Sequence, residues 1–408
     1  MKHALRKPLP GPRARRLIQI IKEISYDSTF TYPLVVANGN GCRIKDVDGN
    51  VFLDFSSNIG TCPLGYSHPE IVQILKEHSV DGMHRIAGQD FYCEEHARLA
   101  QSVASIAPKY FKSFFINSGA EAVENAIKIA YKKMGPLPGV SCINAFHGRT
   151  LGALSFTLSK PVQKNNFPEL PVKRIKFCVS EDDPEIDSLK KILSENKVAF
   201  VICEVIQGEG GINVASKSFV RALRKYSNEF GVPLILDEVQ SGMGRTGKWW
   251  AFEHYGVKPD IITIAKALQV GATLYDRKLD PAEPGVLSST WGAGNRIDMA
   301  IGKRIIDIIT RDGLLANAIT MGDILKKGLV ELVGRRGIID VRGIGLMLGI
   351  EFDTAVTRTK KIVELFRNGI LVLPAGRKSM RIMPPLIINK GEIQEGLSII
   401  HTVLAKSS

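Results

Sequence analysis

The sequence predicts an α/β protein: a mostly parallel central sheet with helices on both faces, plus a smaller α+β domain from both chain ends. Three patterns predict it. From about residue 68, short apolar runs at Ser113–Ile116, Val140–Asn144, Val198–Cys203, Leu234–Leu236 and Ile261–Ile264 are separated by helix-length segments. Strands buried on both faces and joined by helical crossovers read this way. Ahead of them, residues 33–55 hold three short runs, Leu34–Val36, Cys42–Ile44 and Val51–Leu53, divided by Gly39-Asn40-Gly41 and Asp48-Gly49-Asn50. Turn residues between such runs mark a β-meander. Beyond Trp291 a helical stretch continues through Ile309, followed by strand candidates at Gly345–Phe352 and Gly369–Leu373. The expected organisation is residues 1–60 as the first part of the small domain, 61–300 as the large domain, and 301–408 as the rest of the small one.

Composition narrows the function classes. Of 408 residues, 44% are hydrophobic and 23% charged, as in a soluble globular protein. Nothing approaches 18 uninterrupted apolar residues, so no membrane span is expected. The basic N-terminus runs into Pro8, Pro10, Gly11 and Pro12 and not into an apolar stretch, which argues against a secretory signal and for the cytoplasm. Fifty-four basic against 41 acidic residues give a net charge of +13. That charge is dispersed, without an aromatic-basic stripe or a binding motif, so no nucleic-acid partner is expected. The six cysteines form no C-x-x-C pair; they read as scattered buried thiols, and no metal site is expected.

Three short segments carry chemistry. In Ile116-Asn117-Ser118-Gly119-Ala120-Glu121 a strand ends and a helix opens, with Val123, Ala126, Ile127 and Ala130 on one face. Ser118 and Glu121 fit a capping box. Gly119 and Ala120 leave further N–H groups uncovered, which suits a phosphate as well as a plain capped helix. In Leu234-Ile235-Leu236-Asp237-Glu238-Val239-Gln240, two acids and an amide end a central strand, where open α/β sheets bind ligands. They suit a cationic group such as a protonated pyridine nitrogen. In Ile264-Ala265-Lys266-Ala267-Leu268 a lysine sits inside an apolar run, and a desolvated lysine can act as a Schiff-base nucleophile. Gly242-Met243-Gly244-Arg245-Thr246-Gly247 matches G-x-G-x-x-G, but the acids before it and Trp249-Trp250 after it are wrong for a dinucleotide site.

Together with Ala145-Phe146-His147-Gly148-Arg149-Thr150 and Cys203-Glu204-Val205-Ile206-Gln207-Gly208-Glu209-Gly210-Gly211, these segments, in this order, resemble the class III pyridoxal-phosphate-dependent aminotransferases of fold type I. The resemblance runs from about Pro10 to the last helix. It implies that Lys266 would form the Schiff base with pyridoxal 5'-phosphate and shuttle the substrate proton. Asp237 would keep the pyridine nitrogen protonated, and Gln240 would meet the ring hydroxyl. Val239 and Phe146 would press on the two ring faces, with His147 beside Phe146. Gly119 and Ala120 would bind the phosphate, helped by Thr290 of the partner subunit, which implies a homodimer with shared active sites.

For the substrate, the resemblance implies that Arg149 grips a carboxylate bidentately. Glu209 and Arg381 would form a switch, with Glu209 neutralising Arg381 for an ω-amine and releasing it for 2-oxoglutarate. Glu204 and Ile59 would line the pocket. The opening segment through Tyr32-Pro33-Leu34 resembles archaeal 4-aminobutyrate aminotransferases. Residues Gln269–Leu274, Leu287–Gly292 and Arg381–Leu386 resemble L-lysine 6-aminotransferases more closely. The implied activity is transfer of a terminal amino group from 4-aminobutyrate or a similar ω-amino acid to 2-oxoglutarate. L-lysine 6-aminotransfer and amino-acid racemisation on the same fold are the alternatives.

Overall fold

The computed structural model describes residue 5 and residues 8–26, 31–195, 197–288 and 291–405. The chain divides into two compact units, Glu70–Leu315 and the combination of residues 1–69 with 316–408.

The larger unit holds a seven-stranded sheet in the spatial order Phe111–Ile116, Gly271–Asp276, Ile261–Ile264, Leu234–Asp237, Phe200–Cys203, Gly139–Cys142 and Val172–Ile175. Only Gly271–Asp276 is reversed, pairing antiparallel with both neighbours. The five apolar runs read from the sequence are all strands here. Two further strands were not foreseen. Val172–Ile175 is an edge strand whose Lys173 is exposed, so it lacks the apolar signature of a central strand. Gly271–Asp276 follows the Ile261–Ile264 strand too closely for a helical crossover, and its reversed direction is what so short a connection allows.

Helix Gly119–Met134 covers one face of this sheet. Val123, Ala126, Ile127 and Ala130 are all buried against Phe156, Phe200, Ile202, Ile235 and Ile261. The Phe156 and Phe200 rings lie 4.9 Å apart. Each fully buried side chain of this size contributes about 1.5–3 kcal/mol relative to exposure, so this face fixes where the helix begins and hence where its N-terminus points.

In the other unit the meander is present as Val36–Asn40, Arg43–Asp46 and Val51–Asp54. A strand from the far end of the chain, Ile370–Leu371, completes it by pairing parallel with Val51–Asp54. Phe52 and Tyr32 both stack on Phe366, with centroids 5.2 and 4.8 Å away. Both chain ends are therefore needed to build one core. A second sheet runs Ile338–Ile344, Met347–Phe352, Ser379–Ile382 and Leu373–Ala375. No helix among the described residues is long and apolar enough to cross a membrane.

Candidate active site

Parallel strands that end at one level deliver their following residues to one place. Asp237 closes the Leu234–Asp237 strand and stands in register with Thr263 on the neighbouring strand. Lys266 follows that neighbour by two residues, after an unusual backbone turn at Ala265 (φ −163°, ψ −87°). Its carbonyl accepts hydrogen bonds from the backbone and side-chain nitrogens of Gln269, which is held at φ 70°. The lysine is thus placed by a tight turn and not by a regular helix.

Asp237 is 5% exposed. Its Oδ1 accepts from the Val239 N–H at 3.0 Å, and its Oδ2 lies 2.8 Å from His147 Nδ1. A carboxylate oxygen only accepts, so an ionised Asp237 takes this bond from Nδ1 as donor. His147 Nε2 is buried without a hydrogen-bond partner among the described residues. Glu238, expected to share the cation-binding task, turns away instead. Its oxygens accept from Ser241 Oγ at 2.7 Å and from the Phe252 N–H at 2.9 Å. Successive residues leaving a strand point to opposite sides, so only one of the two acids can face the site. Burial pushes the Glu238 carboxyl up to about 7, against those hydrogen bonds.

The helix N-terminus is packed tightly against this strand tip. A methyl group on Gly119 would lie 2.9 Å from Val239 Cγ1 and 3.5 Å from Ala265 Cβ. One on Gly148 would lie 2.9 Å from Ala120 Cβ. Ser118 Oγ accepts from the Glu121 N–H at 3.2 Å, as a capping box requires. The reciprocal bond lands one residue early, however, with Glu121 Oε2 accepting from the Asn117 N–H at 2.6 Å. The Ala122 N–H bonds to the Ser118 carbonyl, while the N–H groups of Gly119 and Ala120 make no hydrogen bond among the described residues. An anion is the natural partner for such donors at a helix N-terminus.

On the other side, the Phe146 N–H donates to Glu204 Oε1 at 2.9 Å and the His147 N–H to Thr157 Oγ1 at 2.9 Å. Arg149 is exposed, with its guanidinium carbon 5.8 Å from the Phe146 ring centroid, and it has no ion pair among the described residues. Glu204, expected to line a substrate pocket, has both oxygens on backbone, the second accepting from the Gly208 N–H at 3.0 Å. Burial pushes its carboxyl up to about 7, opposed by His147 and by the two N–H donors. Gly208 itself lies against Gln240, since an added methyl would meet Gln240 Oε1 at 1.8 Å.

Glu209 is paired with Lys160 at 2.8 Å, with side chains 14% and 32% exposed. Sequence reasoning passed over Lys160. The signal was available: a lysine set in Ser159-Lys160-Pro161, directly after an apolar helix. Arg381 and Ile59 belong to the other unit. Arg381 is 5% exposed on the Ser379–Ile382 strand. Ile59 lies in a left-handed turn in which Ser57, Asn58, Ile59 and Gly60 have φ of 50°, 48°, 62° and 82°. The Met383 N–H donates to the Phe55 carbonyl, which ties the end of that strand to the segment leading into the turn. Thr290 lies outside the described residues.

The larger unit therefore brings Gly119, Ala120, Phe146, His147, Asp237, Val239, Gln240 and Lys266 onto adjoining loops at one end of one sheet. The arrangement fits pyridoxal 5'-phosphate: N–H donors at a helix N-terminus for a phosphate, a carboxylate for the pyridine nitrogen, and close packing of Gly119 on Val239 that sets the helix start beside that carboxylate. When bound, that cofactor supplies an electron sink for negative charge developing on a substrate carbon. In this arrangement Asp237 could accept from a protonated ring nitrogen, and Lys266 carries a primary amine at the end of the adjoining strand. Gly119→Ala tests the seat. Pushing Val239 aside is expected to weaken cofactor binding by about tenfold, measured by titrating the apoprotein. The same overpacking is expected to lower the apoprotein's Tm modestly, so affinity is read on folded apoprotein below its transition; unchanged cofactor affinity would count against this placement.

Comparison with known proteins agrees with the geometry. The sequence profile of the family described as aminotransferase class-III matches residues 25–404. The acetylornithine aminotransferase of Caldanaerobacter subterraneus subsp. tengcongensis is 35% identical over 401 residues, covering 96% of this chain and 99% of that one. The acetylornithine aminotransferase of Archaeoglobus fulgidus is 36% identical over 373 residues, covering 90% and 94%. Among solved structures, the lysine aminotransferase from M. tuberculosis in its internal aldimine form superposes with a TM-score of 0.88 at 28% identity, covering 96% of this chain and 99% of that one. The ornithine aminotransferase of Toxoplasma gondii gives 0.88 at 26% identity, covering 97% and 96%. The chain belongs to the class-III aminotransferases, with fold type I and pyridoxal 5'-phosphate as its cofactor.

Proposed function

We propose that this aminotransferase moves the terminal amino group of an ω-amino acid to 2-oxoglutarate, with Lys266 as proton carrier and Asp237 as partner of the ring nitrogen. The observation that carries the donor class is Arg149: an exposed guanidinium, without an ion pair among the described residues, beside the Phe146 ring. A donor whose carboxylate engages Arg149 bidentately is held at one end, leaving its far amine to reach Lys266. Lys160 adds a second cation on the same side, presently held by Glu209. The names of the relatives favour N-acetyl-L-ornithine within this class, ahead of L-ornithine, L-lysine and the 4-aminobutyrate suggested by the N-terminal segment. A cytoplasmic homodimer, with Thr290 of the partner subunit completing the phosphate site, is part of the same reading.

The half-reaction tests it. Each donor is added to the holoenzyme without any oxo acid, and the visible band of the cofactor is followed. Bleaching by N-acetyl-L-ornithine, reversed by 2-oxoglutarate, is the expected result. Arg149→Met should raise the donor's KM by roughly 10–100-fold, as loss of a charge-assisted bidentate contact predicts. Response only to simple α-amino acids, with loss of their optical rotation, would replace this reading with racemisation.

A further inference from the structure

We infer that Glu204 is a positioning residue: its carboxylate ties the backbone of Phe146 to that of Gly208, holding the ring-stacking loop and the Glu209 turn in fixed relation. The inference rests on the roles proposed for Phe146 and Glu209. Two segments distant in sequence meet at this one side chain, the loop of Phe146 and the stretch from Glu204 to Gly208. Glu204 directly follows the Phe200–Cys203 strand, Phe146 lies in the loop after Gly139–Cys142, and Gly208 opens the turn between Ile206–Gln207 and Asn213–Val214. The two bonds, 2.9 and 3.0 Å, use one carboxylate oxygen each. Glu204 is 6% exposed and has no lysine or arginine partner among the described residues. A buried carboxylate in that position depends on its N–H donors, and here those donors belong to the two loops that flank the cofactor seat.

Other contacts between the loop and the turn are made earlier in the loop, at Ile143 and Asn144. Gln207 Nε2 donates to the Ile143 carbonyl at 2.7 Å, and Gly210 packs against the Asn144 carbonyl, where an added methyl would stand 2.5 Å away. These hold the root of the loop. The Glu204 tether acts at Phe146 itself, one residue before the His147 that bonds to Asp237. At its other end Gly208 abuts Gln240 and precedes Glu209. Loss of the tether should therefore disturb both the ring face and the turn that carries Glu209, without removing any group that touches a substrate.

Glutamine is the discriminating substitution. Its amide offers one accepting oxygen and one donating nitrogen, so one of the two N–H groups must face another donor. For Glu204→Gln holoenzyme we expect an altered visible circular-dichroism band and a KM for the amino donor raised by about tenfold. The loss in kcat should be smaller. Glu204→Asp keeps two acceptors but draws them back by about 1.5 Å, and should recover part of both effects. An unchanged dichroism band and KM in Glu204→Gln would overturn the inference, and so would a lowered Tm as the only change. Phe146→Ala and Glu209→Gln serve as references. If Phe146→Ala leaves the band unchanged and Glu209→Gln leaves the KM unchanged, the roles of those two residues fall, and the tether's function with them. If the references respond and Glu204→Gln does not, the tether alone is refuted.

Discussion

Lys266→Ala is expected to lower turnover by at least about 10⁴-fold while leaving the fold intact. Two separate losses combine. The covalent attachment of the cofactor needs a primary amine, and the proton that leaves the substrate carbon needs a carrier within reach; general acid–base contributions alone are worth about 10²–10⁴. The proposed function gives both tasks to Lys266. Lys266 follows the strand beside Asp237 by two residues, and the turn through Ala265 and Gln269 sets its direction. That turn is held by bonds to the Lys266 carbonyl, which alanine keeps. The Tm of the variant apoprotein should accordingly stay close to that of the parent. The measurement is the rate of the half-reaction with N-acetyl-L-ornithine, together with the visible band, which should shift to that of unattached cofactor. Turnover within tenfold of the parent would mean that another amine carries the proton, and Lys266 would lose its assignment.

The strand tips were legible because central parallel strands advertise themselves as apolar runs, so the residues that end or follow each one can be placed from the sequence. Asp237, Lys266, Gly119 and Ala120 could be read this way, and the helix face Val123, Ala126, Ile127 and Ala130 buries as its spacing requires. What escaped reading depends on pairings between distant residues. The edge strand Val172–Ile175 has no apolar run to show. The Glu209–Lys160 pair spans 49 residues, and nothing local marks either as the other's partner. Glu204 looks in sequence like one more acid in an acidic motif. Only the fold reveals that its oxygens are committed to N–H groups 58 residues before and four residues after it. Glu238 shows the same limit at closer range. It is next to Asp237, yet the strand's alternation sends it into the core, where it does a different job.

That job has a measurable pH signature. Burial pushes the Glu238 carboxyl up to about 7 from an ordinary 4.5. As pH rises from about 4.5 toward about 7, the unfolded chain releases this proton first while the folded protein keeps it, so stability falls through that window and then levels off. The size is on the order of 3 kcal/mol for a shift of this kind. Glu238→Gln should remove the effect. In the parent, the protonated carboxyl can donate to Ser241 Oγ and accept from the Phe252 N–H; the amide reproduces both, its nitrogen donating to a rotated Ser241 hydroxyl and its oxygen accepting from Phe252. The same exchange at Glu204 fails, because both partners there are backbone donors. Glu238→Gln is therefore expected to match the parent's Tm near pH 4.5 and to exceed it by a few degrees at pH 8. Glu204→Gln lacks this compensation, so one backbone N–H stays unsatisfied at both pH values. Thermal scans of the two apoprotein variants across that range decide the matter: a Glu238→Gln difference that does not change with pH would show that Glu238 is ionised in the fold as readily as in water.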